Sequence, residues 1–237
     1  MFRAIISLIL WPLWATMFTL GAIIYSTAII FFPASKLHPL ARVLAVLFML
    51  FAGQWFRVKG QAPDPNKGPY LYLINHESLF DGFMLLAAVK HYFTGVGAYE
   101  QFSYPVWGFL VKKYGVIPIV RQKLDNAITS LEKAEDAVKK GISLMIAPEG
   151  TRTLTGRLNV FKKGPFHVAL NTNITIVPVG LVGAYDAKNK NDWRIRPGVL
   201  TTVFGDPITY DEYKDLSLDD LRSMVRVKIA NLIGVEP

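Results

Sequence analysis

A histidine and an aspartate stand five residues apart, His76 and Asp81, within the stretch Leu73–Gly82, "LINHESLFDG". Imidazole has an ordinary pKa of about 6.5 and can take up or give back a proton near neutrality. A carboxylate beside it can hold one tautomer and steady the imidazolium. The apolar, aromatic run "YLYLIN" before the pair reads as a core strand, and "SLFDGFMLLAAVK" after it as a packed helix. The pair therefore flanks a strand-to-helix turn, where side chains tend to face a cleft. Taken alone, the tripeptide Asn-His-Glu has a plainer reading: a polar turn in which Asn75 and Ser78 cap the helix.

Three further stretches change the balance. "GVIPIVR" ends in Arg121 just after an apolar run. "APEGTRTLTG" sets Glu149, Gly150, Thr151 and Arg152 directly after "ISLMIA" and is followed by "FKKG". "IVPVG", with Pro178, ends a later run. Each lies at or just beyond the carboxyl end of an expected strand, where open α/β sheets gather their sites.

The elements that must position these residues follow from periodicity. "YLYLIN", "FTGVGA", "GVIPIV", "ISLMIA" and "TIVPVGLVG" read as strands, and "WRIRPGVLTTVFGDPI" as one or two more. Helices are expected up to Lys90, near "YPVWGFLVKK", over "FHVALN", and at the carboxyl end. A further helix carries Leu124, Ala127, Ile128, Leu131, Ala134 and Val138 on one face, with Gly141 at its end. The last opens on Ser217 and Asp220, a capping pattern, before Leu218, Leu221, Val225 and Leu232. Strands alternating with helices predict an α/β domain, with a mostly parallel or mixed sheet flanked by helices, over residues 70–237.

The amino-terminal part is different in kind. Ala4 to Phe32 carries no charge over about 29 residues, enough at ~1.5 Å per residue to exceed a bilayer core of ~30 Å. A second run, Leu40 to Phe56, is interrupted only by Arg42 and Gln54. Residues 1–58 are thus expected to form a two-helix, membrane-associated hairpin, joined by a Pro/Gly-rich linker at 59–69. The net charge is +8, and Arg3, Lys36, Arg42, Arg57 and Lys59 precede the first acid, Asp64. Cations fringing apolar helices suit anionic lipid headgroups, and no nucleic-acid motif accompanies them. A hairpin dipping into one leaflet lets all five cations reach one headgroup layer. A two-pass anchor is the alternative, and in either case the α/β domain is expected on the cytoplasmic face.

Several chemistries are excluded or unsupported. There is no cysteine, hence no disulfide, thiolate metal site or cysteine nucleophile. No His-Glu-x-x-His zinc pattern, Gly-x-Ser-x-Gly elbow or P-loop occurs, so no metal is expected. His38, His91 and His167 read as structural, and Lys112–Lys113 and Lys162–Lys163 as solvated pairs.

In this order, the motifs resemble those of the glycerolipid acyltransferase family, best known for the 1-acylglycerol-3-phosphate (lysophosphatidate) acyltransferases. "NHESLFD" matches the family's first motif, Asn-His-x-Ser-x-x-Asp. "GVIPIVR" is similar to the second through its closing Arg121, "PEGTR" to the third, and Pro178 in "IVPVG" to the fourth. The resemblance spans roughly residues 70–185. Pro118 and Ala147 stand where the family often has phenylalanine, which bears on the pocket wall.

The resemblance implies a membrane enzyme that moves a fatty acyl group from an acyl thioester to the sn-2 hydroxyl of lysophosphatidate, making phosphatidate. Acyl-CoA or acyl-carrier protein would be the donor, and no cofactor is needed. His76 would be the general base and Asp81 its support, with no covalent intermediate. Ser78 would be a cap or a structural hydrogen-bond partner rather than a nucleophile. Arg152, with backbone N–H groups around Gly150 and Thr151, would bind the phosphate. Arg121 would bind the same phosphate or the donor. Glu149 would bind the glycerol hydroxyl or anchor an arginine. Two alternatives remain open: the same chemistry on glycerol 3-phosphate or another lysolipid, and a non-catalytic, membrane-anchored lipid-binding protein.

Overall fold

The computed structural model describes residues 2–120 and 124–236, with the backbone alone at 124–128. Helices α1 (Phe2–Phe31) and α2 (Ala34–Phe51) come first, then strand β1 (Gln54–Lys59). The order continues β2 (Tyr70–Ile74), α3 (Asp81–Ala88), β3 (Phe93–Ala98), α4 (Pro105–Tyr114), β4 (Ile117–Ile119), α5 (Leu124–Lys139) and β5 (Ser143–Ile146). It closes with α6 (Gly164–Thr172), β6 (Thr175–Val182), α7 (Ala184–Lys188), β7 (Gly198–Phe204), α8 (Tyr210–Tyr213) and α9 (Leu218–Ile233).

The seven strands form one mixed sheet in the order β1-β7-β6-β2-β5-β3-β4. β2 through β6 are mutually parallel, β7 runs antiparallel to β6, and β1 runs parallel to β7. β2 is buried along its whole length, which explains its unbroken apolar run. Its alternate residues feed two cores. Tyr70, Tyr72 and Ile74 pack with α2 and α3, and Leu71 and Leu73 with α5, α6 and α9. The parallel strands therefore end at one edge of the sheet, and the loops after β2, β5 and β6 meet there.

Most expected elements form where periodicity put them. α5 presents Leu131, Ala134 and Val138 to the core, and Gly141 follows it with a φ of +78°. Ser217 caps α9, its hydroxyl accepting the Asp220 N–H at 3.1 Å. "WRIRPGVLTTVFGDPI" yields one strand, β7, and an isolated bridge between Ile208 and Ile176.

The second apolar run differs from expectation. It is not one helix: α2 stops at Phe51, the chain turns at Gly53 (φ +75°), and Gln54–Lys59 becomes an edge strand on β7. The buried Gln54 amide fixes the turn by donating to the carbonyls of Ala52 (3.0 Å) and Arg196 (2.9 Å). The sheet thus begins ahead of the expected linker.

The hairpin is sewn to the α/β domain at both ends. In the first turns of α1, Arg3 pairs with Asp192 at 3.4 Å, and the Ser7 hydroxyl accepts the Ile195 N–H at 2.9 Å. One turn on, the Trp11 indole N–H donates to the Trp193 carbonyl at 2.8 Å. Near the hairpin tip, His38 on α2 lies 3.0 Å from both the Val89 carbonyl and the Tyr114 hydroxyl. Arg42 donates to the Ala87 carbonyl at the end of α3. Arg3 and Arg42 are therefore held by protein groups, against the expectation that all five amino-terminal cations reach headgroups. Between these points Gly21 lets the helices approach, because a Cβ there would sit 2.7 Å from the Phe48 ring. The outer face of α1 leaves Phe2, Leu8, Ile9, Ile23, Ile30 and Phe31 exposed.

Candidate active site

His76 and Asp81 meet in the loop leaving β2. The His76 Nδ1 lies 2.7 Å from Asp81 Oδ2, which also accepts the N–H groups of Glu77 (2.7 Å) and Ser78 (2.9 Å). A carboxylate only accepts, so Nδ1 is the donor, and in the neutral ring Nε2 carries the lone pair. Asp81 is buried, whereas the His76 side chain is 26% exposed. Asp81 Oδ1 is buried and unpartnered among the described residues, leaving part of the carboxylate's charge uncompensated beside the imidazole.

Asn75 and Ser78 do not cap α3, whose first turn has no side-chain cap. Asn75 instead clamps the end of β6: its amide donates to the Leu181 carbonyl at 2.9 Å and accepts the Leu181 N–H at 2.7 Å. The Ser78 hydroxyl donates to the Lys188 carbonyl at 2.7 Å. Both residues lock the histidine loop to the strand beside it.

Glu149 has a role the sequence did not suggest. Its Oε1 accepts the His76 N–H at 2.7 Å and its Oε2 the Asn159 N–H at 2.8 Å. Each oxygen thus accepts one backbone N–H, and no ion pair between Glu149 and an arginine forms among the described residues. Burial pushes its pKa up, opposed by those N–H groups and by His76. The Thr153 N–H donates to the His76 carbonyl at 2.8 Å, completing a two-point clasp between the loops after β2 and β5.

Arg152 sits in that clasp, next to Thr153, and forms no ion pair among the described residues. Gly150 makes the turn with a φ of +72°, and Thr151 is exposed. Pro178 lies deeper, opposite Leu73 in the sheet, with its carbonyl accepting the Gly205 N–H at 2.9 Å. It shapes the strand rather than the cleft. Arg121 lies outside the described residues.

Residue types and spacing gave no sign of three participants: Thr153, Asn159 and Glu77. Glu77 is buried, and one oxygen accepts the Tyr185 N–H at 3.0 Å. Burial first, and then the Asp81 charge, push its pKa up to about 7. His38 and His91 are buried or half-buried hydrogen-bond bridges, and His167 is exposed. Among the described residues no cluster of His, Asp and Glu has the makings of a metal site.

The model of the Acyltransferase family matches residues 56–182, from β1 to the end of β6 and including every motif of the cleft. The chain belongs to the acyltransferase family. Among curated acyltransferases, the 1-acyl-sn-glycerol-3-phosphate acyltransferase of Cocos nucifera is 37% identical over 65% of this chain and 51% of its own length. That of Limnanthes douglasii is 34% identical over 74% of this chain and 63% of its own. The chain therefore spans between half and two thirds of the length of these relatives. The solved structure of the 1-acyl-sn-glycerophosphate (LPA) acyltransferase PlsC from Thermotoga maritima superposes with a TM-score of 0.84. It covers 97% of this chain and 95% of its own at 20% identity, a likeness of fold.

Proposed function

We propose that the protein transfers a fatty acyl group from an acyl thioester, acyl-CoA or acyl-carrier protein, to the sn-2 hydroxyl of 1-acylglycerol 3-phosphate. The observation that carries this reading is the 2.7 Å His76–Asp81 contact, with Arg152, which forms no ion pair among the described residues, one residue from the clasp. Nε2 takes the hydroxyl proton as the oxygen attacks the thioester carbonyl. Asp81 steadies the imidazolium that forms. The C–S bond then breaks, and the imidazolium returns its proton to the departing thiolate. The names of the curated relatives support lysophosphatidate as acceptor, and so does an arginine suited to bidentate phosphate contact.

The hairpin would place this chemistry at a membrane surface. α1 and α2 are long and apolar enough to span a bilayer. Yet Arg3 near one end and His38 near the other both bond to the α/β domain, so both ends lie against one folded body. That geometry favours a helix pair lying in one leaflet over a two-pass anchor, with the outer apolar face in hydrocarbon. On this reading the acceptor's chain stays in the leaflet while its headgroup reaches the loops of the cleft, and the α/β domain faces the cytoplasm.

The test is acyl transfer by the purified protein in mixed micelles, with lysophosphatidate, glycerol 3-phosphate and lysophosphatidylcholine as acceptors. Lysophosphatidate should be acylated at least tenfold more efficiently than either. A preference for glycerol 3-phosphate would move the reading to the alternative acceptor, and no transfer to any would favour a binding protein.

A further inference from the structure

Tyr185 stands in α7, in a stretch, "GAYDAK", that carries no motif, yet it is bonded at both ends. Its main-chain N–H donates to Glu77 Oε2 at 3.0 Å, and its phenol O–H donates to the Leu154 carbonyl at 2.9 Å. Glu77 directly follows the histidine, and Leu154 directly follows Thr153, whose N–H donates to the His76 carbonyl at 2.8 Å. Three hydrogen bonds thus close a ring through His76, Glu77, Tyr185, Leu154 and Thr153. The loop after β2, the loop after β5 and the start of α7 are joined in one circuit beside the base.

The two ends of this strut differ in what holds them. Gly183 makes the turn into α7 with a φ of +88°, and a Cβ there would collide with the Val199 carbonyl. Glu77 is buried, and its own N–H donates at 2.7 Å to Asp81 Oδ2, the oxygen that meets the imidazole. The main-chain end is therefore anchored behind the dyad. At the other end, residues 147–163 run without helix or strand. Thr153, Asn159 and Lys162 tie the shoulders of that loop to the His76 carbonyl, Glu149 and the Pro148 carbonyl. The tip, Leu154 to Arg157, bonds to itself through Thr155 to Thr153 and Arg157 to Thr155. Among the described residues, its one hydrogen bond to another part of the fold comes from the Tyr185 hydroxyl. The Tyr185 ring also covers Gly156, where φ is +79° and a Cβ would lie 3.2 Å from the ring.

We propose that Tyr185 is a positioning residue for acyl transfer, holding the tip of the loop after β5 in place beside His76 so that the acceptor meets a formed site. The inference rests on the proposed acyl transfer, which gives that loop to the acceptor, and adds a residue outside the chemistry. Without the hydroxyl the tip has no outside partner and samples open positions. Apparent affinity for the acceptor then falls with the fraction of molecules that are competent to bind. The dyad keeps its geometry, because the N–H that holds Glu77 belongs to the main chain.

The test compares wild type, Tyr185→Phe and Tyr185→Leu. Tyr185→Phe keeps the ring on Gly156 and the N–H to Glu77, and removes only the bond to Leu154. Its lysophosphatidate KM should rise roughly 3- to 10-fold, as for one neutral hydrogen bond, with kcat and the donor KM within about twofold of wild type. Tyr185→Leu, which loses the ring as well, should raise the acceptor KM further. Arg152 and Arg157 flank the tip, so trypsin cleavage after them in the native protein, read by mass spectrometry, reports opening without any substrate. In Tyr185→Phe that cleavage should speed up by a similar factor, with the melting temperature little changed. An unchanged acceptor KM or an unchanged cleavage rate in Tyr185→Phe overturns the inference. So does a fall in kcat alone, which would make Tyr185 a support of the dyad. A wild type that acylates no acceptor overturns the proposed function, while the cleavage rates still decide whether Tyr185 holds the tip.

Discussion

Glu149 Oε1 accepts the backbone N–H of His76 at 2.7 Å, across 73 positions of sequence. The acid of one motif therefore holds the histidine loop of the other, a positioning contact. Glu149→Gln replaces one acceptor with an amide that faces an N–H, leaving a buried donor unpaired. The expected cost is about 1–3 kcal/mol of stability, read by denaturant unfolding. Turnover should fall while the acceptor KM stays near wild type. A large KM increase with unchanged stability would return Glu149 to substrate binding.

His76→Ala should lower turnover by roughly 10²- to 10⁴-fold, the usual contribution of a general base, with the melting temperature little changed. Asp81→Asn should be impaired to a similar degree, because an amide oxygen in the place of Oδ2 keeps the three contacts but not the negative charge that steadies the imidazolium. Single-turnover acyl transfer by the folded variants checks both. Near-wild-type turnover in His76→Ala would sink the mechanism.

Arg152→Lys keeps the charge but not the fork, so it should stay well below wild type on lysophosphatidate, by about tenfold in kcat/KM. The deficit should shrink on 1-acylglycerol. Equal losses on both would make Arg152 structural or donor-facing.

Glu77 makes stability depend on pH. Its folded pKa of about 7 lies above the ordinary glutamate value of 4.5, so between these values the folded protein holds a proton that the unfolded chain has released. Stability from this group is complete below pH 4.5, falls between 4.5 and about 7, and stays low above. The span is on the order of 3 kcal/mol at ~1.4 kcal/mol per pH unit. Glu77→Gln mimics the protonated form and should flatten the decline between pH 5 and 8, measured by urea unfolding at stepped pH. A parallel decline in wild type and variant would assign the dependence to other groups.

The hairpin's placement can be read with one cysteine, because the chain has none of its own. Ser35→Cys puts a thiol at the exposed hairpin tip. In sealed vesicles with the α/β domain outside, a membrane-impermeant maleimide trapped inside should leave it unlabelled. Labelling from inside would establish a two-pass anchor.

Local order was legible and long-range partnership was not. The His76–Asp81 contact follows from a spacing of five residues across one strand-to-helix turn, and the strand ends that gather the motifs follow from alternating apolar runs. The partners of Asn75, Ser78 and Glu149, which are Leu181, Lys188 and Asn159, could not be read from spacing because they are set by how separate loops pack. The run Leu40–Phe56 hid a helix-to-strand change because apolar density suits both a buried helix and a strand. Only Gly53 and Gln54, taken with their partners, mark the break.

One surface of α1 meets lipid in the proposed setting, while the other carries Trp14 and Phe18 against Phe48 and Trp107. The bilayer is then part of the solvent in which this fold is stable, and leaving the membrane and losing the fold become coupled equilibria. Any amphiphile that wets the outer face should raise resistance to unfolding by mass action, even without occupying the cleft. Cutting the chain after residue 58 would not release a soluble catalytic half. It would strip α2 from α3, carry off β1, and leave an aromatic wall and the edge of β7 open to water.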